Sequence, residues 1–577
     1  MKTSRPLRSI AAASLLAGLL MASATPAHAA AAAPGGYDDH QNMMDQLGIT
    51  KLRPGKSGSN QNGPGFDLET ANPWKDSMPE LLKMKNGTMV TSASQWPARR
   101  AEILEDFERE VYGRIPVNVP KVTWTVDSTT QGNTNGIPTV TKILTGHVDN
   151  SAFPSINVNI RASLTVPANA TGPVPVIFEF GGVQAPGGGG ARAGAGPAGA
   201  AGPGGARGAA AAPVVLAGGP ALPTLDTLKT ALVLTEAQAA AIQPLLDEVA
   251  TLQKNLNGLQ GKADNLRTAL SDKVTPLLTD AQKPQLAQAL NPARGGGARA
   301  GGPGGGGGGM GAQALAKGWG YGNIDPASIQ ADGGGMALRQ GIIGLTNLGE
   351  PRKPDQWGAL RAWQWGVSRV IDYFEANPDA KVDPKKIAIT GVSRYGKAAI
   401  VAEAFEPRVA VSLVGSSGEG GVKLHRHDFG EAVENLTGGE YYWMAGNFLK
   451  YGADEPFVKT AADIPVDSHE LIALCAPRPV FISYGVEAAG DPKWVGAAGS
   501  YMAGILASPA YELLGKKGYG VKPADYITAP MPAVQQLVGG ELAWRQHEGG
   551  HTQVPNFPAF FEWISAYVKA PALKTTN

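Results

Sequence analysis

The serine at position 393 stands where a hydroxyl group can act as a nucleophile. Residues 387–390 form an apolar run typical of a buried strand, residues 391–397 read GVSRYGK, and residues 398–404 suit a closely packed helix. A Gly-x-Ser alone would favour an incidental serine in an ordinary turn. With a strand and a helix on either side, the pattern predicts a nucleophile elbow, which exposes the hydroxyl at the start of a helix. The backbone N–H of Arg394 would then donate to the oxyanion of an acyl-transfer reaction.

A serine hydroxyl needs a general base that accepts its proton. The chain has eight histidines, and in proteins with a nucleophile elbow the base follows the last strands. His551, within Gly549-Gly550-His551-Thr552, meets that condition and is the predicted base. His547 is the nearest competitor, but it lies at a predicted strand end, where a structural or substrate-side role suits it better. His425, His427 and His469 are predicted to be structural or to form hydrogen bonds near the site.

Strands and helices that alternate along the chain must position these two residues. Residues 96–112 and 357–376 have apolar side chains at helical spacing, and residues 156–166 alternate as a half-buried strand does. Further strands are predicted over residues 121–126, 138–148, 175–180 and 387–390. The strand–helix–strand order predicts an α/β fold with a mainly parallel central sheet and crossover helices.

The N-terminal 29 residues have the pattern of a signal peptide. A basic start is followed by an apolar run over residues 10–21 and by Ala27-His28-Ala29. The apolar run is too short to span a bilayer, so we expect cleavage after Ala29 and a secreted or periplasmic protein. Residues 30–65, rich in Ala, Gly, Pro, Asn and Ser, are predicted to be a flexible segment.

An insertion rich in glycine and alanine interrupts the globular pattern at residues 183–315. Within it, residues 222–290 carry a stripe of apolar side chains typical of an amphipathic helical segment. The predicted catalytic domain is therefore discontinuous and comprises residues 66–182 and 316–572. A surface insertion without chemistry is the favoured interpretation. The alternative is a mobile lid or docking module, and the partner of the insertion is left open.

Charge and cysteine content exclude some classes of partner and site. The chain carries 50 Lys and Arg against 49 Asp and Glu, a net charge of +1, which gives no electrostatic reason to expect nucleic acid. No further run of ~20 apolar residues predicts a membrane span. The single cysteine, Cys475, excludes an internal disulfide.

Five sequence segments follow one another in a characteristic order around the predicted elbow. They are WGALRAW at 357–363, GVSRYGK at 391–397, SGEGG at 417–421, DSHELIALCAPRP at 467–479 and GGHT at 549–552. Together they resemble the glucuronoyl esterases, carbohydrate esterase family 15 of the α/β-hydrolase superfamily. The resemblance spans about residues 96–182 and 319–567, and it implies the three-layer sandwich of the α/β-hydrolases.

The resemblance also implies roles for side chains around the nucleophile. Arg394 would stabilise the oxyanion, Lys397 would hydrogen-bond sugar hydroxyls, and Trp443 is a candidate for substrate binding. The family places its catalytic acid at one of two positions. The first is Ser416 here, which cannot serve. The second follows the strand over residues 479–484, where Glu487 matches by spacing.

Glu487 is therefore the predicted acid, with Asp491 and Glu419 as alternatives. The resemblance implies hydrolysis of esters of 4-O-methyl-glucuronic acid, such as the lignin–glucuronoxylan links of plant cell walls. The reaction would be a two-step acyl transfer that needs no metal and no organic cofactor. One alternative is an esterase for acetyl or other acyl groups on polysaccharide, because Ala489 replaces a tryptophan common in bacterial members. A second alternative is a non-catalytic carbohydrate-binding protein.

Overall fold

Twelve strands are present in the residues that the structure describes. The structure is a computed structural model, and it describes residues 38–58, 60–61, 63, 65–117, 119–183, 235, 238–240, 242–244 and 309–574. The strands are β1 (Lys51–Leu52), β2 (Val122–Thr134), β3 (Ile137–Val148), β4 (Asn159–Pro167), β5 (Val174–Phe180), β6 (Gly320–Ile324), β7 (Val382–Val392), β8 (Val409–Gly415), β9 (Ala453–Glu455), β10 (Val480–Tyr484), β11 (Leu537–Gly539) and β12 (Leu542–Gln546).

Ten of these strands form one sheet in the order β11-β12-β10-β8-β7-β5-β6-β4-β3-β2. The six central strands, from β12 to β6, are parallel, whereas β11 and the β4-β3-β2 meander pair antiparallel at the two edges. A parallel sheet is covered on both faces, so its strands are nearly continuous apolar runs. All five residues of β10 are buried, while the edge strand β2 is largely exposed.

Helices cover both faces of the sheet. They are α1 (Asp39–Leu47), α2 (Trp96–Asp106), α3 (Met310–Ala316), α4 (Gly341–Thr346), α5 (Ala359–Ala376), α6 (Arg394–Phe405), α7 (Val433–Thr437), α8 (Ser468–Ala473), α9 (Ala497–Leu513) and α10 (Phe557–Ile564). Within the described ranges, no helix has the length and apolarity needed to cross a membrane.

Successive residues of the central strands belong to two separate cores. Ile387 and Ile389 of β7 pack in the core that contains α5, α6 and α9. Ala388, between them, packs in a second core with α3 and α10. Because side chains alternate between the two faces of a strand, this division defines three layers, helices–sheet–helices. The predicted three-layer α/β sandwich with a mainly parallel sheet is confirmed.

The N-terminal segment differs from its prediction. Residues 30–65 were expected to be flexible, but among the described residues 38–65 the chain forms α1 and the strand β1, which pairs with β9. The Asp38 side chain caps α1, and Met43 and Met44 are buried in the main core. Asp39 forms an ion pair of 3.3 Å with Arg352, and both side chains are almost fully buried. Polar composition misled the prediction because a few anchoring side chains suffice to order this segment.

The C-terminal boundary of the insertion also differs from the prediction. Helix α3 begins at Met310, six residues before the predicted restart of the domain, and buries Met310, Ala314 and Leu315. A Cβ at Gly311 would lie 2.7 Å from the Tyr321 ring, so a glycine here allows close packing. Glycine content therefore does not mark the boundary. The predicted signal peptide, residues 1–29, and the helical segment, residues 222–290, lie outside the described residues except for a few positions between 235 and 244.

One buried carboxyl group makes the stability of the fold depend on pH. Glu403 of α6 is fully buried, and burial raises its pKa to about 7, although Arg478 opposes the shift. The native state therefore keeps this proton between about pH 4.5 and 7, where the unfolded chain has lost it. Stability should fall over that window by up to about 3 kcal/mol as pH rises, because each pKa unit corresponds to about 1.4 kcal/mol.

Replacing Glu403 by glutamine should remove this loss, because the amide stays neutral. We expect E403Q to be more stable than the unchanged chain at pH 8 and to match it closely at pH 5, in urea unfolding at both pH values. The exposed Glu69→Gln is the matched control. Equal pH dependence in E403Q and the unchanged chain would contradict the assignment.

Candidate active site

The turn between β7 and α6 holds Ser393 in a strained conformation. Its φ is 62° and its ψ is −129°, which a residue with a side chain adopts only where the surroundings enforce it. Its N–H donates to the Gly415 carbonyl oxygen at 2.9 Å. A Cβ at Gly391 would lie 2.5 Å from the Tyr395 carbonyl oxygen, and one at Gly396 would clash with the Gly415 carbonyl. The predicted nucleophile elbow is thus present, and its two glycines allow the helix to lie close to β8.

His551 forms a hydrogen-bonded pair with Asp491. The imidazole Nδ1 lies 2.7 Å from Asp491 Oδ1, with the Asp491 side chain 3% exposed and that of His551 29% exposed. The other oxygen of Asp491 accepts hydrogen bonds from Ser416 Oγ and from the backbone N–H of Gly485, each at 2.7 Å. A carboxylate held from two sides fixes the orientation and tautomer of the imidazole that faces it.

The predicted acid, Glu487, does not occupy this place. It begins a short 3₁₀ turn, Glu487–Ala489, and its side chain is exposed. Asp491, given above as an alternative, faces His551 instead. Both residues lie in the loop after β10, and spacing along a loop does not fix which of two carboxylates turns inward. One signal in the sequence was the serine at position 416, where the family's other catalytic acid would stand. In the structure its hydroxyl donates a hydrogen bond to Asp491.

The second alternative acid, Glu419, is engaged elsewhere. Its carboxylate lies 2.8 Å from Lys423 Nζ and 2.5 Å from His425 Nδ1, and all three side chains are fully buried. Burial alone would raise the pKa of Glu419, but the nearby Lys423 and His425 hold it below its ordinary value. This ionised glutamate therefore has its partners within the core and is not the partner of His551.

His547 stabilises the loop that carries His551. Its Nδ1 accepts the backbone N–H of Gly549 at 3.0 Å, and its Nε2 lies 2.7 Å from the Thr552 carbonyl oxygen. Nε2 therefore carries the proton. Burial lowers the pKa of His547, which keeps the ring neutral. The contacts are those of the structural role predicted for this histidine.

Gln553 ties the histidine loop to the nucleophile strand. Its side-chain oxygen accepts a 2.8 Å hydrogen bond from Thr390 of β7, and its amide donates to Glu179 of β5 at 3.2 Å. Ser393 and His551 therefore approach the same carboxyl edge of the sheet. Among the described residues, no hydrogen bond joins the Ser393 hydroxyl to the imidazole. Such bonds are often long before substrate binds, so the arrangement still permits proton transfer.

Arg394 and Trp443 share one carboxylate partner. Arg394 Nη1 lies 2.5 Å from Asp332 Oδ2, and the Trp443 indole N–H donates to Asp332 Oδ1 at 2.8 Å. The Arg394 guanidinium is 5.8 Å from the centre of the Trp443 ring. Trp443 is only 4% exposed, which leaves little of its ring free to stack on a sugar. Asp332 carried no motif in the sequence and was not predicted.

Lys397 is buried rather than solvated. Its ammonium donates to the Ser417 carbonyl at 2.6 Å and to Glu431 Oε2 at 2.8 Å, and it lies 5.3 Å from the centre of the Trp443 ring. Burial and the neighbouring Glu431 together raise the pKa of Glu440 well above its ordinary value, against the opposing charge of Lys397. A proton on Glu440 removes the repulsion between this carboxyl group and Glu431, which is why its neutral form is favoured.

The fold and these contacts define an α/β-hydrolase with a serine at the elbow and a His–Asp pair at the carboxyl edge of the sheet. A family model described as fungal glucuronyl esterase matches residues 352–515. A solved glucuronoyl esterase of carbohydrate esterase family 15 from Teredinibacter turnerae is 33% identical, with a TM-score of 0.63 over 92% of this chain and 98% of that one. The chain belongs to carbohydrate esterase family 15.

Two curated relatives are also carbohydrate or glucuronoyl esterases by name. A carbohydrate esterase, MZ0003, from an unknown prokaryote is 33% identical over 241 residues, 41% of this chain and 51% of the relative. A 4-O-methyl-glucuronoyl methylesterase from Wolfiporia cocos is 38% identical over 168 residues, 28% of this chain and 39% of the relative. The alignments thus span about half or less of these curated relatives.

Substituting Asp491 and Glu487 in turn tests which of the two carboxylates is the partner of His551. We expect Asp491→Asn to lower kcat for ester hydrolysis by about 10³–10⁴-fold, because an amide facing the imidazole favours the wrong tautomer. Glu487→Gln, a matched change in the same loop, should leave kcat within about twofold, as surface substitutions usually do. Steady-state kinetics of both variants tests this, and a larger loss in Glu487→Gln would contradict the contacts described here.

The carboxyl pair beside Lys397 should respond to pH. Because the raised pKa of Glu440 favours its neutral form, Glu440→Gln should leave KM near that of the unchanged chain at pH values below that pKa. Glu431→Gln removes the charged acceptor of Lys397 and should raise KM by about tenfold or more. As pH rises through the raised pKa of Glu440, KM of the unchanged chain should rise and that of Glu440→Gln should not. A flat KM in both would show that the pair does not titrate there.

Proposed function

We propose that this protein is an exported serine esterase that hydrolyses esters of 4-O-methyl-glucuronic acid. The observation that carries the proposal is the Asp491–His551 pair, held at the same sheet edge as the strained Ser393. Membership of carbohydrate esterase family 15 supports the substrate class, since relatives carry the name 4-O-methyl-glucuronoyl methylesterase. The signal-peptide pattern of residues 1–29 supports export.

In the proposed reaction, Ser393 Oγ attacks the ester carbonyl while His551 Nε2 takes the hydroxyl proton. Asp491 accepts the Nδ1–H of His551 and stabilises the imidazolium. The oxyanion is stabilised by the backbone N–H of Arg394 and by its guanidinium. The tetrahedral intermediate then expels the alcohol, which takes the proton from His551. Water, activated by the same histidine, attacks the acyl-enzyme and releases the uronic acid.

The proposed substrate side of the site contains Lys397 and Glu431. Their buried ion pair keeps a charged acceptor and donor next to the elbow, which suits a sugar ring rich in hydroxyl groups. We propose plant cell-wall glucuronoxylan, or a related uronate ester, as the macromolecular substrate. An esterase for acetyl groups remains the alternative activity, because Ala489 stands where bacterial relatives were expected to carry tryptophan.

A comparison of substrates tests the proposal. The purified protein should hydrolyse the methyl ester of 4-O-methyl-glucuronate, and it should release acetate from acetylated xylan at least tenfold more slowly. Ser393→Ala should abolish measurable turnover of the uronate ester while leaving the thermal unfolding temperature within a few degrees, because the hydroxyl makes no internal hydrogen bond in the described residues.

Three results would contradict the proposal. Unchanged turnover in Ser393→Ala would exclude that residue as the nucleophile. Faster acetate release than uronate-ester hydrolysis would favour the acetyl esterase. An inactive unchanged protein that binds glucuronoxylan in a pull-down would favour the carbohydrate-binding alternative.

A further inference from the structure

The carboxylate of Asp332 holds together three side chains next to the nucleophile. One oxygen is 2.5 Å from Arg394 Nη1 and the other accepts the Trp443 indole N–H at 2.8 Å. The Tyr442 hydroxyl also interacts with this carboxylate. No motif of the sequence pointed to Asp332, and the reaction proposed above gives it no step.

The loop that carries Asp332 is itself firmly anchored. Gln330, two residues earlier, is fully buried, and its side chain bonds the Ala337 carbonyl at 2.8 Å and the Ile343 N–H at 3.1 Å. Three residues after Asp332, the backbone N–H of Gly335 donates to the Tyr441 hydroxyl at 2.8 Å. The carboxylate is therefore presented from a segment fixed on both sides.

Arg394, by contrast, needs an external partner to adopt one conformation. Its side chain is 42% exposed, and a long side chain in that position has many rotamers available. In the described part of the chain, only its Nη1 donates a hydrogen bond, and it does so to Asp332. Its Nε and Nη2 donate no hydrogen bond to the described residues. Burial alone would lower the pKa of Arg394, but Asp332 raises it above its ordinary value, so the charge is retained.

We propose that Asp332 is a positioning residue that fixes the Arg394 guanidinium against the Trp443 ring, with its remaining N–H donors free for the oxyanion. A donor aimed in advance at the developing charge stabilises the transition state without reorganising during the reaction. The proposal rests on the proposed function, in which Arg394 acts on the oxyanion. It assigns Asp332 an effect on kcat rather than on KM.

A double-mutant cycle tests this dependence. Arg394→Met should lower kcat by about 100-fold, the range found when one oxyanion donor is removed. Asp332→Asn keeps an acceptor for the Trp443 N–H but loses the charge, and it should lower kcat by about tenfold with KM nearly unchanged. The double variant should be no slower than Arg394→Met, because Asp332 acts only through Arg394. Asp76→Asn, whose side chain is 91% exposed, is the matched surface control.

Two outcomes of the cycle overturn the proposal. One is an unchanged kcat in Asp332→Asn, and the other is a double variant whose loss equals the product of the two single losses. If Arg394→Met itself leaves kcat unchanged, the guanidinium has no part in turnover and the positioning role fails with it. The nucleophile assignment is judged separately by Ser393→Ala, so the two failures are distinguishable.

Chemical rescue gives a second measurement that does not depend on the folding of one variant. In Arg394→Ala, added guanidinium ion should restore part of kcat, because Asp332 and Trp443 still form a site for it. In Asp332→Asn/Arg394→Ala the same concentration should restore much less. Methylammonium, which lacks the planar set of donors, is the control ion. Equal rescue by guanidinium in both variants would overturn the proposal.

Discussion

The close packing of helix α6 against strand β8 is the constraint on which the site depends. Gly396 lies against the Gly415 carbonyl, and the N–H of Ser393 donates to that same oxygen. Ser393 has a positive φ at this contact, and the residue after β8, Ser416, donates a hydrogen bond to Asp491. Ser393 and Asp491 are thus both hydrogen-bonded to residues 415–416, although they lie in different loops.

Two groups of buried, paired charges are a second feature of this region. Lys397 is paired with Glu431, and Glu419 is paired with Lys423 and His425, with every side chain almost inaccessible to water. Desolvating such groups costs several kcal/mol each unless they are paired and hydrogen-bonded, so removing one partner would destabilise the others.

Much of the fold and the elbow at Ser393 could be predicted from the sequence because both depend on local patterns. Apolar runs define the parallel strands, and the glycines at 391 and 396 are required by contacts within a few ångströms of Ser393. The partner of His551 could not be fixed in the same way. The choice between Glu487 and Asp491 depends on hydrogen bonds from Ser416 and Gly485, which come together only in three dimensions. No local sequence pattern indicated Asp332, because its partners Arg394 and Trp443 lie 62 and 111 residues away along the chain.

The N-terminal segment from Asp38 onward belongs to the same compact unit as the candidate site. Asp39 neutralises Arg352, whose guanidinium additionally donates to the Met444 carbonyl at 2.9 Å, just beyond Trp443. A gene trimmed at residue 66, where composition alone suggests the domain starts, would leave that guanidinium in an apolar interior without the Asp39 carboxylate. Loss of residues 38–65 would then disturb the backbone next to Trp443 without altering any side chain of the candidate site.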